Sequence, residues 1–209
     1  MRTTVASSAL VAVALLVSGC AHAGPAARPP TATTGNAASP AGTAGPGGTR
    51  GAPAFNGTDV AWLQLHVAMA ERLLPALDLV PARTTDPAWR RLAAQVAATH
   101  RADLTRARGL LAGSGAPATN PHEGHDMPGM VTAEQLAELR SASVAALHRL
   151  LAQHLRAHLT QAVRVAAAEQ RSGAHPAVTA LAAAVVRNGT AALARLDRLD
   201  PPPASAGAR

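Results

Sequence analysis

Lysine, isoleucine and tyrosine are absent from this chain of 209 residues, cysteine occurs once, at Cys20, and only Phe55, Trp62 and Trp89 are aromatic. A single cysteine excludes a disulfide framework, a zinc finger and an iron–sulfur centre, each of which needs several thiols. Few aromatic and β-branched side chains argue against an all-β fold, and 53 alanines together with abundant leucine favour helix. Every one of the 19 basic residues is arginine. The missing amino acids are those of AT-rich codons, so this bias marks a GC-rich coding sequence rather than a function. The chain also lacks a phosphate-binding glycine loop, a nucleophile elbow and the Glu-x-x-His pairs of di-iron bundles, so no catalytic constellation is legible and the expectation is a non-enzyme.

The formal charge of +7 and the pI near 11.6 shrink on inspection by region. Between Phe55 and Asp200 stand 15 Arg and 12 acidic residues, a net of +3 with the signs interspersed. No basic stripe interleaved with aromatics appears, which excludes nucleic acid as a partner.

The N-terminus carries a charge at Arg2, an apolar run from Val5 to Val17 and small residues before Cys20. The run is too short to span a bilayer and has the layout of a secretory signal. Leu16-Val17-Ser18-Gly19-Cys20 resembles the bacterial lipobox, which implies a signal peptide over 1–19 and lipidation of Cys20. The expected location is therefore the extracytoplasmic face of a bacterial cell membrane, with the lipid on Cys20 as the membrane partner. Residues 20–54 are mostly Gly, Pro, Ala, Thr and Ser, too poor in apolar surface to offset ordering entropy, and read as a flexible tether. Residues 201–209, opening on three prolines, read as a tail.

Residues 55–200 carry helical patterning. Thr58-Asp59 reads as an N-cap before Val60, Leu63, Val67, Leu74 and Leu77, with Pro75 expected to kink or stop that helix. Asp86-Pro87 opens a second helix running to about Leu111, before Gly113. Thr132 with Gln135 fits a capping box, helical periodicity continues past a break near 141–143 to Arg171, and His175-Pro176 opens the last helix. An ungapped shift of 89 residues lays Pro87-Ala88 on Pro176-Ala177, Leu92-Ala93-Ala94 on Leu181-Ala182-Ala183, and Leu104 and Arg106 on Leu193 and Arg195. The fold class this predicts is all-α, a four-helix bundle of two repeated αα-hairpins.

Between the hairpins lies His122-Glu123-Gly124-His125-Asp126-Met127-Pro128-Gly129-Met130. Imidazole and thioether suit copper, with Met favouring Cu(I) and His serving either oxidation state. His122, His125, Met127 and Met130 are therefore candidate ligands, against the plainer reading of a polar turn with solvated histidines. Helical spacing also places His66 with Met69, His100 with Asp103, and His154 with His158 on shared faces.

Three segments together are similar to one known family. They are Phe55-Asn56-x-x-Asp59-Val60, His125-Asp126-Met127-Pro128-Gly129-Met130, and Gly173-Ala174-His175-Pro176-x-Val178 followed by Leu181-Ala182. The chain resembles, over roughly Phe55 to Leu199, domain of unknown function family 305, ferritin-like exported proteins linked to copper handling. That resemblance implies a ferritin-like bundle with a His-His motif on the first helix of each hairpin and Gln-x-x-Glu on the second. The first His-His pair falls here on Met69-Ala70 and the second on His158-Leu159. The first Gln-x-x-Glu falls on His100-x-x-Asp103 and the second on Gly189-x-x-Ala192. His158, His100 and Asp103 thus join the candidate metal ligands, whereas His66, His148 and His154 read as residues of amphipathic helix faces. The sequence fits two functions: a membrane-anchored copper-binding lipoprotein acting in metal homeostasis or sequestration, and a structural or adaptor envelope lipoprotein whose metal site is vestigial.

Overall fold

A computed structural model describes residues 54–117 and 119–201. The expected signal peptide, the lipidation site Cys20, the tether up to residue 53 and the tail beyond residue 201 lie outside the described residues. Within them are five helices: α1 (Gly57–Arg83), α2 (Pro87–Ser114), α3 (Ala133–Ser141), α4 (Val144–Ser172) and α5 (Pro176–Leu199). The bundle is all-α, as expected. α1 packs on α2 and α4 on α5 as hairpins, and the hairpins join through α1 against α4 and α2 against α5.

Hydrogen bonds give the directions. Asn56 Nδ2 at the start of α1 donates to Ser172 O at the end of α4 at 2.8 Å, and Arg83 at the end of α1 donates to Ala142 O just before α4. α1 and α4 are therefore antiparallel, so α2 and α4 run the same way and need the long crossover 115–143 that includes α3. The 89-residue offset survives in three dimensions: α1 and α4 end at Arg83 and Ser172, and α2 and α5 begin at Pro87 and Pro176.

Several helix ends follow from local chemistry. Asp86 Oδ1 accepts from Ala88 N at 2.8 Å, with Pro87 pre-set for the first turn. Thr132 and Gln135 form the expected capping box, and α3 breaks from α4 at 141–143 with Ser143 as the new N-cap. Three details differ from expectation. The cap of α1 is Asn56 rather than Thr58 or Asp59: Asn56 Oδ1 accepts from Asp59 N at 2.9 Å while Asp59 Oδ2 accepts from Asn56 N at 2.7 Å, closing a capping box. α1 continues through Pro75 and Pro81, both of which lie on its exposed face. α2 runs past Gly113 and stops at Gly115, the glycine that takes the left-handed conformation (φ 73°).

Two apolar clusters fill the bundle. One gathers Leu73, Leu77, Trp89, Leu147, Leu151 and Leu196, and the other Trp62, Leu63, Met69, Leu104, Val178 and Leu181. Between them the buried side chains turn polar. α5 is long and apolar enough by composition to cross a membrane, but its Val178, Leu181, Ala182, Val185 and Leu196 are packed into these clusters.

A candidate metal chamber at the waist of the bundle

Three helices deliver histidines to that polar layer. On α2, His100 Nδ1 lies 3.0 Å from the carbonyl of Val96, one turn back on the same helix. On α4, His158 Nδ1 lies 2.9 Å from the carbonyl of Gly129 in the crossover segment. A carbonyl only accepts, so each Nδ1 carries the proton and each Nε2 is left as a bare lone pair. Those two Nε2 atoms face each other at 3.0 Å, their rings tilted by 49°. Two acceptors in that position have nothing between them to share unless a proton or a metal ion supplies it.

Burial keeps both rings neutral. Removal from water pushes the His158 imidazole down to about 3, helped by the nearby rings of His100 and His66, and burial lowers His100 as well. From α1, His66 stacks on Trp62 with ring centroids 5.2 Å apart, and its buried Nε2 has no hydrogen-bond partner. Desolvation lowers that ring to about 4. Asp103, one turn beyond His100, is buried, and burial raises its carboxyl.

His66, His100 and Asp103 line a chamber of about 110 Å³ that opens between α2 and α5 past Thr99, Asn188 and Arg195. Its far wall is Gly189 and Ala192, the positions that the 89-residue offset pairs with His100 and Asp103. The chamber thus lies where α2 presents ligand-type side chains and its repeat partner α5 presents almost no side chain. Gly189 is also a packing requirement, since a Cβ there would stand 2.7 Å from Val163 Cγ2 on α4.

The other candidates are distributed differently. Met130 is buried in one apolar cluster and Met127 packs against it, whereas His125 is exposed and His122 half-buried, so the segment does not gather its four candidate ligands. Met69, the repeat partner of His158, is likewise part of that cluster. His154 is buried with an unpartnered Nε2 but does not line the chamber. His148 stacks on Trp89 and its Nε2 lies 3.0 Å from Thr84 Oγ1. Among the described residues, no group of three or more His, Cys, Asp and Glu side chains is arranged to hold a metal ion. The preformed element is the His100–His158 pair. The sequence pattern makes His66 a residue of an amphipathic helix face, and the structure adds it to the chamber lining; its spacing of three from Met69, the repeat partner of His158, is the signal that places it near the same layer.

A helical bundle of two repeated hairpins, with a histidine pair at its waist, defines the class of protein. Its family model, a domain of unknown function (DUF305), matches residues 59–199, and the chain belongs to that family. A solved structure, the crystal structure of a DUF305 fragment from Deinococcus radiodurans, is similar to it with a TM-score of 0.63 and 19% identity, over 70% of this chain and 97% of that one. At that identity the likeness concerns the fold. No curated protein matches the chain.

Proposed function

We propose that this protein is a membrane-anchored, extracytoplasmic metal-binding lipoprotein, that copper is its ion, and that it sequesters metal without catalysing a reaction. The observation that supports this most directly is the His100–His158 pair, two neutral imidazoles whose Nδ1–H groups are fixed by backbone carbonyls and whose bare Nε2 atoms converge at 3.0 Å. Fixing the far nitrogen of an imidazole in this way is how proteins orient histidine ligands. Imidazole suits copper in either oxidation state. Two metal–nitrogen bonds of about 2.0 Å laid end to end exceed 3.0 Å, so the rings turn or part on binding, and the adjoining chamber supplies room. His66 and Asp103 are the further donors within that room. The lipobox at Cys20 supports the membrane location.

Competition titration of the purified chain with Cu(I) and Cu(II) tests the reading. Dissociation constants below about 1 μM, about −8 kcal/mol or better, are expected, with the affinity lost in His100→Ala and His158→Ala. Binding weaker than that in the unmodified chain sinks it. A second reading, an adaptor lipoprotein with a vestigial site, is motivated by Gly189 and Ala192 standing opposite His100 and Asp103. It predicts that copper changes neither thermal stability nor growth under copper stress.

A further inference from the structure

We propose that the 122–130 segment is the lock on the tautomer of His158, with the Gly129 carbonyl as its positioning group. This deepens the metal-binding reading above and rests on it. The segment is held in place from three sides. Arg72 Nη2 on α1 donates to Asp126 Oδ1 at 2.6 Å and to the His125 carbonyl at 3.3 Å. Met130 and Met127 anchor the far end in an apolar cluster. Between these anchors Gly129 lies against α4 at φ 86°, where a Cβ would come within 2.7 Å of Gln161 Cβ and 3.2 Å of the Ala157 carbonyl. Only glycine combines that dihedral with that approach, and the approach is what brings its carbonyl to 2.9 Å from His158 Nδ1.

The lock has an alternative state. Released from Gly129, the neutral His158 ring can give up the proton on Nδ1 and take one on Nε2, with no change in its charge. Its Nε2–H then donates to His100 Nε2, and the facing lone pairs become an ordinary hydrogen bond. With the segment seated, that relief is denied and both Nε2 atoms stay bare, ready for a cation. Seating of the segment and binding at the pair therefore favour each other by the same factor. This assigns the residues around Gly129 a role in regulating the chamber that does not require them to touch the ion.

Long-range ¹H–¹⁵N correlation of the imidazole nitrogens in the full chain, metal-free and at neutral pH, reads the tautomer directly. His158 is expected to carry its proton on Nδ1. In Gly129→Ala, and in the milder Arg72→Gln, which cuts the ties to Asp126 and to the His125 carbonyl and leaves every imidazole in place, the proton should move toward Nε2. Cu(I) affinity should fall roughly 10- to 100-fold in both variants, the range seen when a ligand's orienting partner is lost. A proton on Nε2 of His158 in the unmodified chain, or an unchanged tautomer in both variants, overturns the proposal. If the tautomers behave as expected while no copper binds, the lock stands and the metal reading alone fails.

Discussion

Gly189 shows at the scale of one residue why α5 presents no ligand opposite His100. Its missing side chain lets α5 approach α4 at Val163, and the same absence opens the chamber wall opposite His100. Gly189→Ala should lower stability by about 1–3 kcal/mol, read as a fall in the denaturation midpoint, because a methyl there overpacks a close helix contact. Met130 makes the complementary point. It looked like a ligand because of its neighbours in sequence, and it is a buried packing residue. Met130→Ala is expected to cost about 2–4 kcal/mol in metal-free protein, whereas the exposed His125 should tolerate Ala within about 0.5 kcal/mol. Equal thermal midpoints for these two variants would contradict the packing role. His100, Asp103 and His158 were legible because their spacing and the family pattern name them. Neither the facing of two Nε2 atoms nor the Gly129 carbonyl has a trace in residue type.

At the scale of elements, the junction of α1, α4 and α5 is fastened by two carboxyl groups. Asp59 accepts from the backbone N–H groups of Asn56, Ala174 and His175 and stays ionised, its carboxyl held below the usual range, because those bonds and the one from Glu169 outweigh its burial. Glu169, fully buried on α4, is pushed up to about 7 by burial and by the hydrogen bond and charge of Asp59. Neither Glu169 oxygen has a partner as an acceptor, and the raised carboxyl favours the protonated form, which can donate to the ionised Asp59. The folded state therefore holds a proton between about pH 4.5 and pH 7 that the unfolded chain has released, and the pair's contribution to stability declines as pH rises through that window. Glu169→Gln keeps a donor without a titration. Its stability relative to the unmodified protein should rise by about 1–3 kcal/mol between pH 5 and pH 8, measured by denaturant melts. A constant difference across that range would exclude the shared proton. The repeat-related junction lacks this pair and uses His148 with Thr84 and Trp89 instead. Helix starts such as Asp86-Pro87 were legible because capping is a local affair. Asp59 is the third-position partner of the Asn56 cap rather than the cap itself, and its further bonds, to Ala174 and His175 at 115 and 116 residues away, have no local trace.

At the scale of the molecule, buried neutral histidines set the response to acid. His66, His100, His154 and His158 are all lowered by burial, to about 4 for His66 and about 3 for His158. Below about pH 6.5 the unfolded chain binds protons that the folded chain refuses, so stability falls progressively toward pH 3. This opposes the Glu169 contribution and outnumbers it, so net acid destabilisation is expected. In the double variant His66→Gln/His158→Gln the pH dependence of the melting temperature between pH 6.5 and 4 should flatten. Copper at 100 times its dissociation constant should stabilise the unmodified protein by about 2.7 kcal/mol, an effect that the double variant loses.

The helical class, the two hairpins, the 89-residue offset and most helix ends were determined by the sequence alone, because propensity, capping and periodicity act within a few residues of one another. Family membership was legible for a related reason, since it rests on short motifs. Only the tertiary structure decided which histidines meet, that Met130 turns inward while His125 stays in water, and that a backbone carbonyl from the crossover orients His158. Those outcomes depend on the crossing of three helices and on the lone pairs of individual atoms, and a linear pattern of residue types carries neither.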